Sequence, residues 1–578
     1  MKKWMLQAKK ADFKRIAEEF GISEILARLI RNRDVVTDDE IEYYLNARIS
    51  DMHDPFVMRD MEAACGIIKA AIEDGKAIRV IGDYDIDGVC ATTILVKGLS
   101  SVGGNVSYRL PDRIKDGYGL NINMIDEAKA DGIDLIITCD NGIAASKEIK
   151  YAKDLGIDVV VTDHHEIPFE EHDGIKTSIL PPADAVVDPH REDDDYPYKT
   201  ICGGMVAYKL ILALQKKYFN IKESLTDELL DFAAFSTIGD IMPLADENRI
   251  AVKYGLNSMK NTANLGLSAL IDATGVKRDS LSVYHIGFIL GPCINSVGRL
   301  ESAETALKLF LTDDVNEAKE LSKKLKDTND IRKNIMDEKI KEAIDLVENN
   351  KDGHDYSKDT VLVVFINDCH ESLAGLIAGK LREHFVKPSI VFTDAEEGIK
   401  GSGRSIECYN IFEELTKCKE LFAKFGGHPM AAGLSMPKEN LEKLREMINK
   451  NSTLTEADLV DKLSIDIDMP INYVSMKLIN EIDRLAPYGT GNPSPLFAQK
   501  NLKIVSRKSN PKGNMVTLLL QSGPHGDMPE KSLFATMFGD AKKILAEMEG
   551  KSTITVAYVP EYNDFFDRVQ IRIKEYIV

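Results

Sequence analysis

The spacing of hydrophobic residues changes several times along the 578-residue chain. From position 12 to about 75, apolar residues such as Phe13, Ile16 and Phe20 recur three or four positions apart, which is the period of an amphipathic helix. After Gly75 the pattern changes to short apolar runs separated by stretches long enough for helices, as in a parallel sheet with crossover helices. The sequence therefore predicts a helical N-terminal region followed by an α/β domain.

Four of these apolar runs are each followed by an acidic residue. The pairs are AIRVIG before Asp83, DLIITC before Asp140, DVVVT before Asp163 and DAVV before Asp188. In open parallel sheets, ligands bind beyond the carboxyl ends of the strands. We therefore expect a ligand site at this edge of the sheet.

Three further segments follow the α/β domain. Residues 314–350 place apolar positions in a largely polar stretch without Gly or Pro, which predicts one long connecting helix. A second αβ segment begins with VLVVFI after Thr360 and ends near charged residues at 449–461. Beyond Leu463, short alternating runs such as LKIVS and VQIRI, broken by Gly, Pro and Asn, predict a small β-barrel.

Composition and charge narrow the class of protein. The apolar fraction of 44% and the charged fraction of 29% are typical of a folded globular chain. A net charge of −20 excludes a surface that is basic all over, so any nucleic-acid contact needs a local basic groove. No apolar run has the length of a signal sequence core or a membrane span, so we expect a cytoplasmic protein. The eight cysteines lack metal-ligand spacing and are expected to be buried.

The segment at 82–88 carries the strongest chemical signal. Asp83, Asp85 and Asp87 alternate directly after a buried strand, which is costly unless a cation lies among the carboxylates. The alternative is a calcium loop between helices, but that loop needs a glutamate at position twelve, where this chain has Ile94. A metal site is the better interpretation.

Two further strands are followed by possible metal ligands. Asp140 and Asn141 follow one predicted strand, and Asp163, His164 and His165 follow the next. Mixed carboxylate and imidazole groups suit manganese, magnesium or zinc better than calcium. A lone His pair is more often a surface feature, and Asp163 could simply cap the next segment. Three such sites on successive strands nevertheless favour a metal centre.

Asp240 is a further candidate ligand, because it follows an apolar run in STIGDIMPLADENR. Alone it would be unremarkable. Two metal ions about 3.5 to 4 Å apart can hold both the attacking and the leaving oxygen of a displacement at phosphorus, and they need a ligand set of roughly this size.

These elements resemble the RecJ family of the DHH superfamily. The matching motifs are DxDxDG at 83–88, DNG at 140–142, DHHE at 163–166, GDxxPLxxENR at 239–249, PDR at 111–113, GYG at 117–119, NSVGR at 295–299 and GSGRS at 401–405. FGGHPMAAG at 425–433 is similar to the signature of a DHHA1 domain, and LAPYGTGNP at 485–493 to the motif that opens the RecJ OB-fold. The chain departs from the family pattern at 234–236, where Ala-Phe-Ser replaces a run of Ala-Leu-Gly type.

The resemblance implies an α/β fold in which a parallel-sheet DHH domain and an α/β DHHA1 domain are joined by a long helix and followed by an OB-fold β-barrel. The implied regions are an N-terminal helical region at 1–75, a DHH domain at 76–313, a connecting helix at 314–350, a DHHA1 domain at 351–455 and an OB-fold at 463–578.

The implied activity is degradation of single-stranded DNA from its 5′ end to 5′-mononucleotides, in DNA recombination and repair. The implied cofactors are Mn²⁺ or Mg²⁺, as two ions. Besides single-stranded DNA, a single-strand-binding protein and a RecQ-type helicase are the partners suggested, with no role for a membrane.

The resemblance also implies roles for individual residues. The implied metal ligands are Asp85, Asp87, Asp140, His164 and Asp240. Asp83 is expected to orient ligands, and His165 to lie next to the scissile phosphate as a hydrogen-bond donor or proton partner. The implied substrate-binding residues are Arg113, Tyr118, Arg299, His370, Ser402, Arg404, Gly426, Gly427 and His428.

Each substrate-binding assignment has a plainer alternative. The arginines suit phosphate because a guanidinium can bind two oxygens together, but either could be a surface salt-bridge partner. Tyr118 could stack a base or simply pack, and His370 could cap a helix. The most basic stretch comprises Lys500, Lys503, Arg507, Lys508 and Lys512, and it is either a track for DNA or a solvated hairpin.

Two other functions compete with this reading. One is a DHH phosphodiesterase acting on short RNA or cyclic dinucleotides, which the chain length and the predicted barrel disfavour. The other is a non-catalytic nucleic-acid-binding protein, which the intact acids and His164 disfavour.

Overall fold

The computed structural model describes residues 2–112, 116–117, 119–172, 175–300, 302–395 and 397–578. The chain divides into two compact units. The larger unit contains residues 6–328 and 464–578, and the smaller unit contains residues 1–5 and 329–463.

The chain begins with a short strand and four helices. The bounds are β1 (Lys3–Leu6), α1 (Phe13–Phe20), α2 (Glu24–Asn32), α3 (Asp38–Asn46) and α4 (Met61–Glu73). The side chains of Asp12, Ser23 and Thr37 accept backbone N–H groups and so cap the first three helices. The helical pattern is confirmed, whereas β1 was not predicted.

The larger unit contains the predicted parallel sheet. Its strands run in the order β3-β2-β4-β5-β8, all parallel. Its elements are β2 (Ala77–Ile81), α5 (Ile86–Ser100), β3 (Asn105–Arg109), α6 (Ile122–Ala130), β4 (Leu135–Cys139), α7 (Ser146–Asp154), β5 (Asp158–Thr162), the hairpin β6 (Phe169–His172) and β7 (Ile175–Ser178), and β8 (Ala185–Val187). Because β2, β4, β5 and β8 are neighbours, the acids that follow them meet at one edge.

A helical layer follows the sheet in the chain. It consists of α8 (Gly203–Lys217), α9 (Glu223–Gly239), α10 (Asp246–Met259), α11 (Leu265–Thr274), α12 (Val283–His285), a π-helical turn (Ile286–Leu290), α13 (Gly291–Leu300) and α14 (Glu304–Leu311). The next helix, α15 (Val315–Asn349), has 35 residues and confirms the predicted long helix.

The smaller unit contains a mixed sheet in the order β12-β13-β11-β10-β9. Only β9 and β10 pair in parallel. Its elements are β9 (Leu362–Phe365), α16 (Ala374–Phe385), β10 (Ser389–Asp394), β11 (Ile399–Arg404), α17 (Ile411–Thr416), β12 (Lys424–His428), β13 (Ala431–Met436) and α18 (Leu441–Asn451), followed by β14 (Lys462–Ile465).

The C-terminal strands form a closed barrel, because β16 pairs with both β17 and β19. Its elements are β15 (Ile467–Asp468), α19 (Met476–Asp483), β16 (Phe497–Ser509), β17 (Met515–Ser522), β18 (Lys531–Phe538), α20 (Ala541–Glu547), β19 (Thr553–Asn563) and β20 (Arg568–Ile577). The predicted α/β fold with a C-terminal barrel is confirmed.

The N-terminal helices and the barrel share one hydrophobic core. Leu26, Leu29 and Ile30 belong to the same buried cluster as Phe497 and Val556. The Asn32 amide donates to the backbone carbonyl and the carboxylate of Asp466, both at 3.1 Å. The helical region is therefore part of the barrel's support.

Seven cysteines are buried as expected, but Cys408 is exposed because it lies in a surface turn between β11 and α17. Among the described residues, no helix combines the length and the apolar character that a membrane span requires.

Candidate metal centre

Eight side chains from the predicted motifs converge at the carboxyl edge of the parallel sheet. Three groups offer ligand atoms that lie within 4.8 Å of one another inside each group. The groups are Asp83, Asp85 and Asp140; Asp87, His164 and Asp240; and Asp140, Asp163, His164 and His165. Asp140 and His164 each belong to two groups, so the three form one cluster.

The turn between β2 and α5 places the first acids. Asp85 caps α5, and its Oδ1 accepts the N–H groups of Asp87 at 2.9 Å and Gly88 at 3.2 Å. A Cβ on Gly88 would lie 2.4 Å from the carbonyl oxygen of Asp83. Only glycine therefore lets the backbone fold back this tightly.

Asp87 is held by the start of α8. Its two oxygens accept the N–H groups of Gly203 at 2.7 Å and Gly204 at 2.8 Å, and the Ser236 hydroxyl donates to it as well. Free N–H groups and the helix dipole at such a terminus stabilise an anion. This cradle was not predicted from the sequence, although the Gly-Gly pair after Cys202 was a visible signal.

Asp140 follows β4 directly and has a φ of +59°, a left-handed conformation that turns the chain back over the sheet edge. The neighbouring Asn141 donates to the carbonyls of Ile81 at 3.0 Å and Cys139 at 2.9 Å. Asn141 thereby ties the ends of β2 and β4 together.

Asp163 orients the two histidines. Its carboxylate accepts the N–H groups of Ile143 at 2.9 Å and His164 at 2.8 Å, and it lies 2.7 Å from Nδ1 of His165. Nε2 of His164 lies 3.1 Å from Asp140 and 3.4 Å from Asp87. Asp163 therefore contributes to the site. From the sequence alone, it could also have been only a cap for the next segment.

Asp240 stands at the C-terminus of α9, with its Oδ2 3.9 Å from Nε2 of His164. That oxygen is buried and has no hydrogen-bond partner among the described residues. A buried carboxylate oxygen facing an imidazole and other carboxylates suits coordination of a cation.

The electrostatics of the cluster are those of crowded, buried anions. Burial raises the pKa of Asp140 well above its usual value, and Asp87, Asp85 and Asp83 raise it further. Burial and the neighbouring carboxylates also raise the pKa of Asp85 and Asp240. A cation bound among them would offset this repulsion.

His165 differs from the neighbouring acids in being a base with a raised pKa. Burial lowers its pKa, but the hydrogen bond to Asp163 and the surrounding carboxylates outweigh burial and raise the pKa to about 9. Burial of Asp163 opposes ionisation, but the contacts with His165 dominate and lower its pKa. The pair is therefore an imidazolium and a carboxylate at neutral pH.

Asn295 on α13 supports the metal-binding turn and was not assigned a role from the sequence. Its Oδ1 accepts the N–H of Ile86, between Asp85 and Asp87, at 2.8 Å. A Cβ on Gly298 would lie 2.5 Å from the Tyr84 carbonyl oxygen. The NSVGR motif thus packs directly against the DxDxDG turn.

The smaller unit brings together most of the predicted phosphate-binding residues. Across its sheet, Arg404 is in register with Ala431 and then His428, while Ser402 is in register with Gly433 and then Gly426. Nη1 of Arg404 donates to the Ser402 hydroxyl at 2.9 Å. Burial, and then the charge of Arg382, lower the pKa of Arg404.

Two further glycines and a histidine of the smaller unit have contacts that bear on these residues. A Cβ on Gly375, at the start of α16, would lie 2.8 Å from Nη2 of Arg404. Gly427 has a φ of +154°, and a Cβ there would lie 2.3 Å from the Ala431 carbonyl oxygen. His370 caps the turn before α16 by accepting the Ser372 N–H at 3.3 Å, so the capping contact anticipated for it is present.

Three predicted substrate-binding side chains cannot be placed. Arg113 and Tyr118 lie outside the described residues, and Arg299 lies on α13 with its side chain outside them. In the basic stretch, Arg507 donates to the carbonyls of Met548 and Lys551, so it has a structural role in the barrel.

Comparison with known families agrees with this architecture. The models described as "DHH family, N-terminal domain", "DHHA1 domain" and "RecJ OB domain" match residues 77–237, 358–452 and 465–575. The parallel sheet and its acidic centre thus lie in a domain of the DHH family.

Individual relatives specify the family. The chain is 38% identical over 504 residues to the single-stranded-DNA-specific exonuclease RecJ of Bacillus subtilis, covering 86% of this chain but only 62% of that protein. It is 33% identical over 493 residues to RecJ of Salmonella typhimurium, covering 82% of each. The chain belongs to the RecJ family. The crystal structure of Thermus thermophilus RecJ in complex with Mn²⁺ superposes with a TM-score of 0.82 at 23% identity, covering 100% of this chain and 79% of that one.

Proposed function

We propose that the chain is a metal-dependent exonuclease that degrades single-stranded DNA from its 5′ end to 5′-mononucleotides, in DNA recombination and repair. The observation that carries the proposal is the cluster of buried carboxylates and imidazoles at the carboxyl edge of the parallel sheet. The names of the two RecJ relatives, both single-stranded-DNA-specific exonucleases, support the substrate.

The proposed metal ligands are Asp85, Asp87, Asp140, His164 and Asp240, holding two Mn²⁺ or Mg²⁺ ions. The oxygen-rich ligand set fits these ions, and the sharing of Asp140 and His164 between groups suits a pair. Such ions would supply charge stabilisation to a phosphodiester during in-line displacement.

The remaining steps rest on the protein's own groups. With Asp163 on Nδ1, His165 can present a protonated Nε2 to a phosphate oxygen or to the departing oxygen. Asp83 is proposed to orient the ligands beside it. Gly203 and Gly204 would hold the carboxylate of Asp87 in place.

We assign recognition of the 5′-phosphate to Ser402, Arg404, Gly426, Gly427 and His428. Arg404 and His428 are in register through Ala431 across three strands, and Ser402 lies in the neighbouring row with Gly426. A guanidinium, a hydroxyl and exposed glycine N–H groups are suitable donors for phosphate oxygens. Contacts from Arg113, Tyr118, Arg299 and His370 remain predictions.

A cytoplasmic location and partnership with a single-strand-binding protein and a RecQ-type helicase complete the proposal. The described helices offer no membrane span, which is compatible with this location.

The test is manganese-dependent digestion of end-labelled single-stranded DNA, with duplex DNA, RNA and a cyclic dinucleotide in parallel. We expect mononucleotides to be released in sequence from the 5′ end of single-stranded DNA only. The Asp140→Asn variant should lose hydrolysis while retaining DNA binding. Hydrolysis confined to RNA or to the dinucleotide would overturn the substrate and leave the metal centre in place.

A further inference from the structure

Two large aromatic side chains are exposed side by side in the larger unit. Tyr284 is 61% exposed and Phe288 is 73% exposed. Their ring centroids are 5.1 Å apart and their planes differ by 28°, so the rings are stacked. Single exposed apolar residues are common on protein surfaces, but a stacked pair presents a flat apolar area that water solvates poorly.

The pair lies on the segment that leads into α13. Tyr284 belongs to α12, and Phe288 to the π-helical turn Ile286–Leu290. The opposite side of this segment is anchored by Ile286, Leu290 and Ile294, all 0% exposed. The backbone beneath the rings is therefore fixed, and π-helical turns occur frequently at functional sites.

The same segment packs against residues that flank the candidate metal ligands in the chain. A Cβ on Gly291 would lie 3.1 Å from Cδ1 of Ile86, the residue between Asp85 and Asp87. A Cβ on Gly287 would lie 3.9 Å from Cγ2 of Ile238, two residues before Asp240. Phe288 thus lies between two backbone positions that pack on the neighbours of candidate metal ligands, and it is three residues from Gly291.

We propose that Tyr284 and Phe288 form a stacking platform for a nucleobase of the single-stranded substrate, adjacent to the phosphodiester being cleaved. This inference rests on the proposed function. A strand whose phosphate reaches the carboxylate cluster must place neighbouring bases nearby, and an exposed aromatic face binds any base without reading sequence. A base paired in a duplex has both faces covered, so the platform favours single strands.

A substitution series at Phe288 separates stacking from simple apolar contact. Phe288→Ala and Phe288→Leu should each raise KM for a short oligonucleotide by roughly 5- to 150-fold, the usual effect of losing one base-stacking ring, with kcat little changed. Phe288→Trp should keep KM near the parent value, because it retains a π face. Since the ring is exposed, thermal unfolding of all three variants should match the parent.

A direct readout uses 2-aminopurine, whose fluorescence is quenched on stacking. The base is moved one position at a time from the 5′ end, in proteins that carry Asp140→Asn so that the strand is not degraded. We expect quenching to be strongest at one position near the 5′ end. It should disappear with Phe288→Ala and with Phe288→Leu, and persist with Phe288→Trp.

The outcomes distinguish this inference from the function on which it rests. If the parent digests single-stranded DNA and all Phe288 variants match it in KM and quenching, the platform is wrong while the exonuclease stands. If Leu restores binding as well as Trp does, the pair is an apolar docking surface for another molecule and the nucleobase is excluded. A parent that digests no single-stranded DNA refutes the proposed function itself.

Discussion

The carboxylate of Asp87 receives hydrogen bonds from three donors that belong to two helices. Two donors are backbone N–H groups of α8, and the third is the hydroxyl of Ser236 on α9. Partners that orient a metal ligand in this way tune metal affinity.

Replacing Ser236 with alanine should therefore weaken metal binding. We expect the Ser236→Ala variant to need roughly tenfold more Mn²⁺ for half-maximal binding, as is usual when a partner of a ligand is removed. Calorimetric titration with Mn²⁺ measures this directly. Ser322→Ala is a matched control, because Ser322 is buried and its hydroxyl donates to the Lys319 carbonyl within α15. Equal affinity in both variants would contradict the role of Ser236.

A second buried acid gives a prediction on stability and pH. Asp231 on α9 is 0% exposed, and burial raises its pKa to about 7. Since its pKa in the unfolded chain is about 4, its ionisation destabilises the fold progressively as pH rises from about 4 through 7. Asp231→Asn removes this cost.

We expect Asp231→Asn to unfold at higher urea concentration than the parent at pH 8, with a gain of a few kcal/mol, and to differ little at pH 4.5. The exposed Asp195 provides a control, since Asp195→Asn should change the free energy of unfolding by less than about 0.5 kcal/mol at either pH. If Asp231→Asn raised the free energy of unfolding equally at both pH values, the gain would come from packing and not from ionisation of Asp231.

The convergence of Asp83, Asp140 and Asp163 could be predicted because each follows an apolar strand, whereas Asp240 stands at the end of helix α9. The supports of these acids could not be predicted, because they come from distant parts of the chain. Asp87 is 116 positions from Gly203 and 149 from Ser236, and Ile86 is 209 positions from Asn295. No local pattern records such pairings, which depend on how whole helices pack on the sheet.

Among the elements, the start of α8 packs directly against the carboxylates of Asp87 and Asp140. A Cβ on Gly203 would lie 2.7 Å from the Cβ of Asp140, and a Cβ on Gly204 would lie 2.3 Å from the Ser236 hydroxyl. Both glycines are needed for the helix terminus to touch the sheet edge. The start of α8 therefore contributes to the site through the backbone N–H groups of its two glycines.

Adding one methyl group to this helix should damage the site. Gly203→Ala would push Asp140 from its position, and we expect a loss of hydrolysis of at least about 100-fold, because misplaced reacting groups are costly. The assay is initial-rate digestion of labelled single-stranded DNA. Gly66→Ala in α4 is the control: nothing lies within 4 Å of its Cβ, so the substitution should leave activity unchanged and stabilise the helix slightly.

Elements with continuous or strictly periodic apolar patterns were predicted correctly, including β2, β4, β5, β8 and α15. The hairpin β6–β7 and strand β18 were not. The sequence of β18, KSLFATMF, places Phe534 and Phe538 on its exposed side, at 37% and 66% exposure. The sequence of β18 shows no alternation of apolar and polar residues, because apolar side chains lie on both faces of the strand.

At the scale of the molecule, the barrel is joined to the rest of the larger unit through the segment at 485–493. The Leu244 N–H donates to the Thr490 carbonyl at 2.7 Å, and Arg249 donates to the Leu485 carbonyl at 2.9 Å. Leu244 and Arg249 belong to the same motif as Asp240. The barrel therefore contacts the loop that follows a proposed metal ligand.

Deleting residues 464–578 should unfold more than the barrel. The deletion would expose Leu26, Leu29 and Ile30, so we expect the region of α1 to α3 to become sensitive to limited proteolysis. Lys500→Glu with Lys508→Glu is the better test of DNA contact, because both side chains are exposed on β16 and the core is untouched. That double variant should keep α1 to α3 protected while binding long strands more weakly. If α1 to α3 resist proteolysis in the truncated protein as well, these helices are stable without the barrel.

The two halves of this shared core are also synthesised far apart in time. Asn32 and its partner Asp466 are separated by 434 positions, so at about 5 to 20 residues per second the ribosome needs roughly 20 to 90 s to pass from one to the other. Throughout that interval the apolar faces of α1 to α3 are without the barrel that covers them. We expect nascent chains to recruit chaperones at their beginning and to release them only when translation of the last strands is complete.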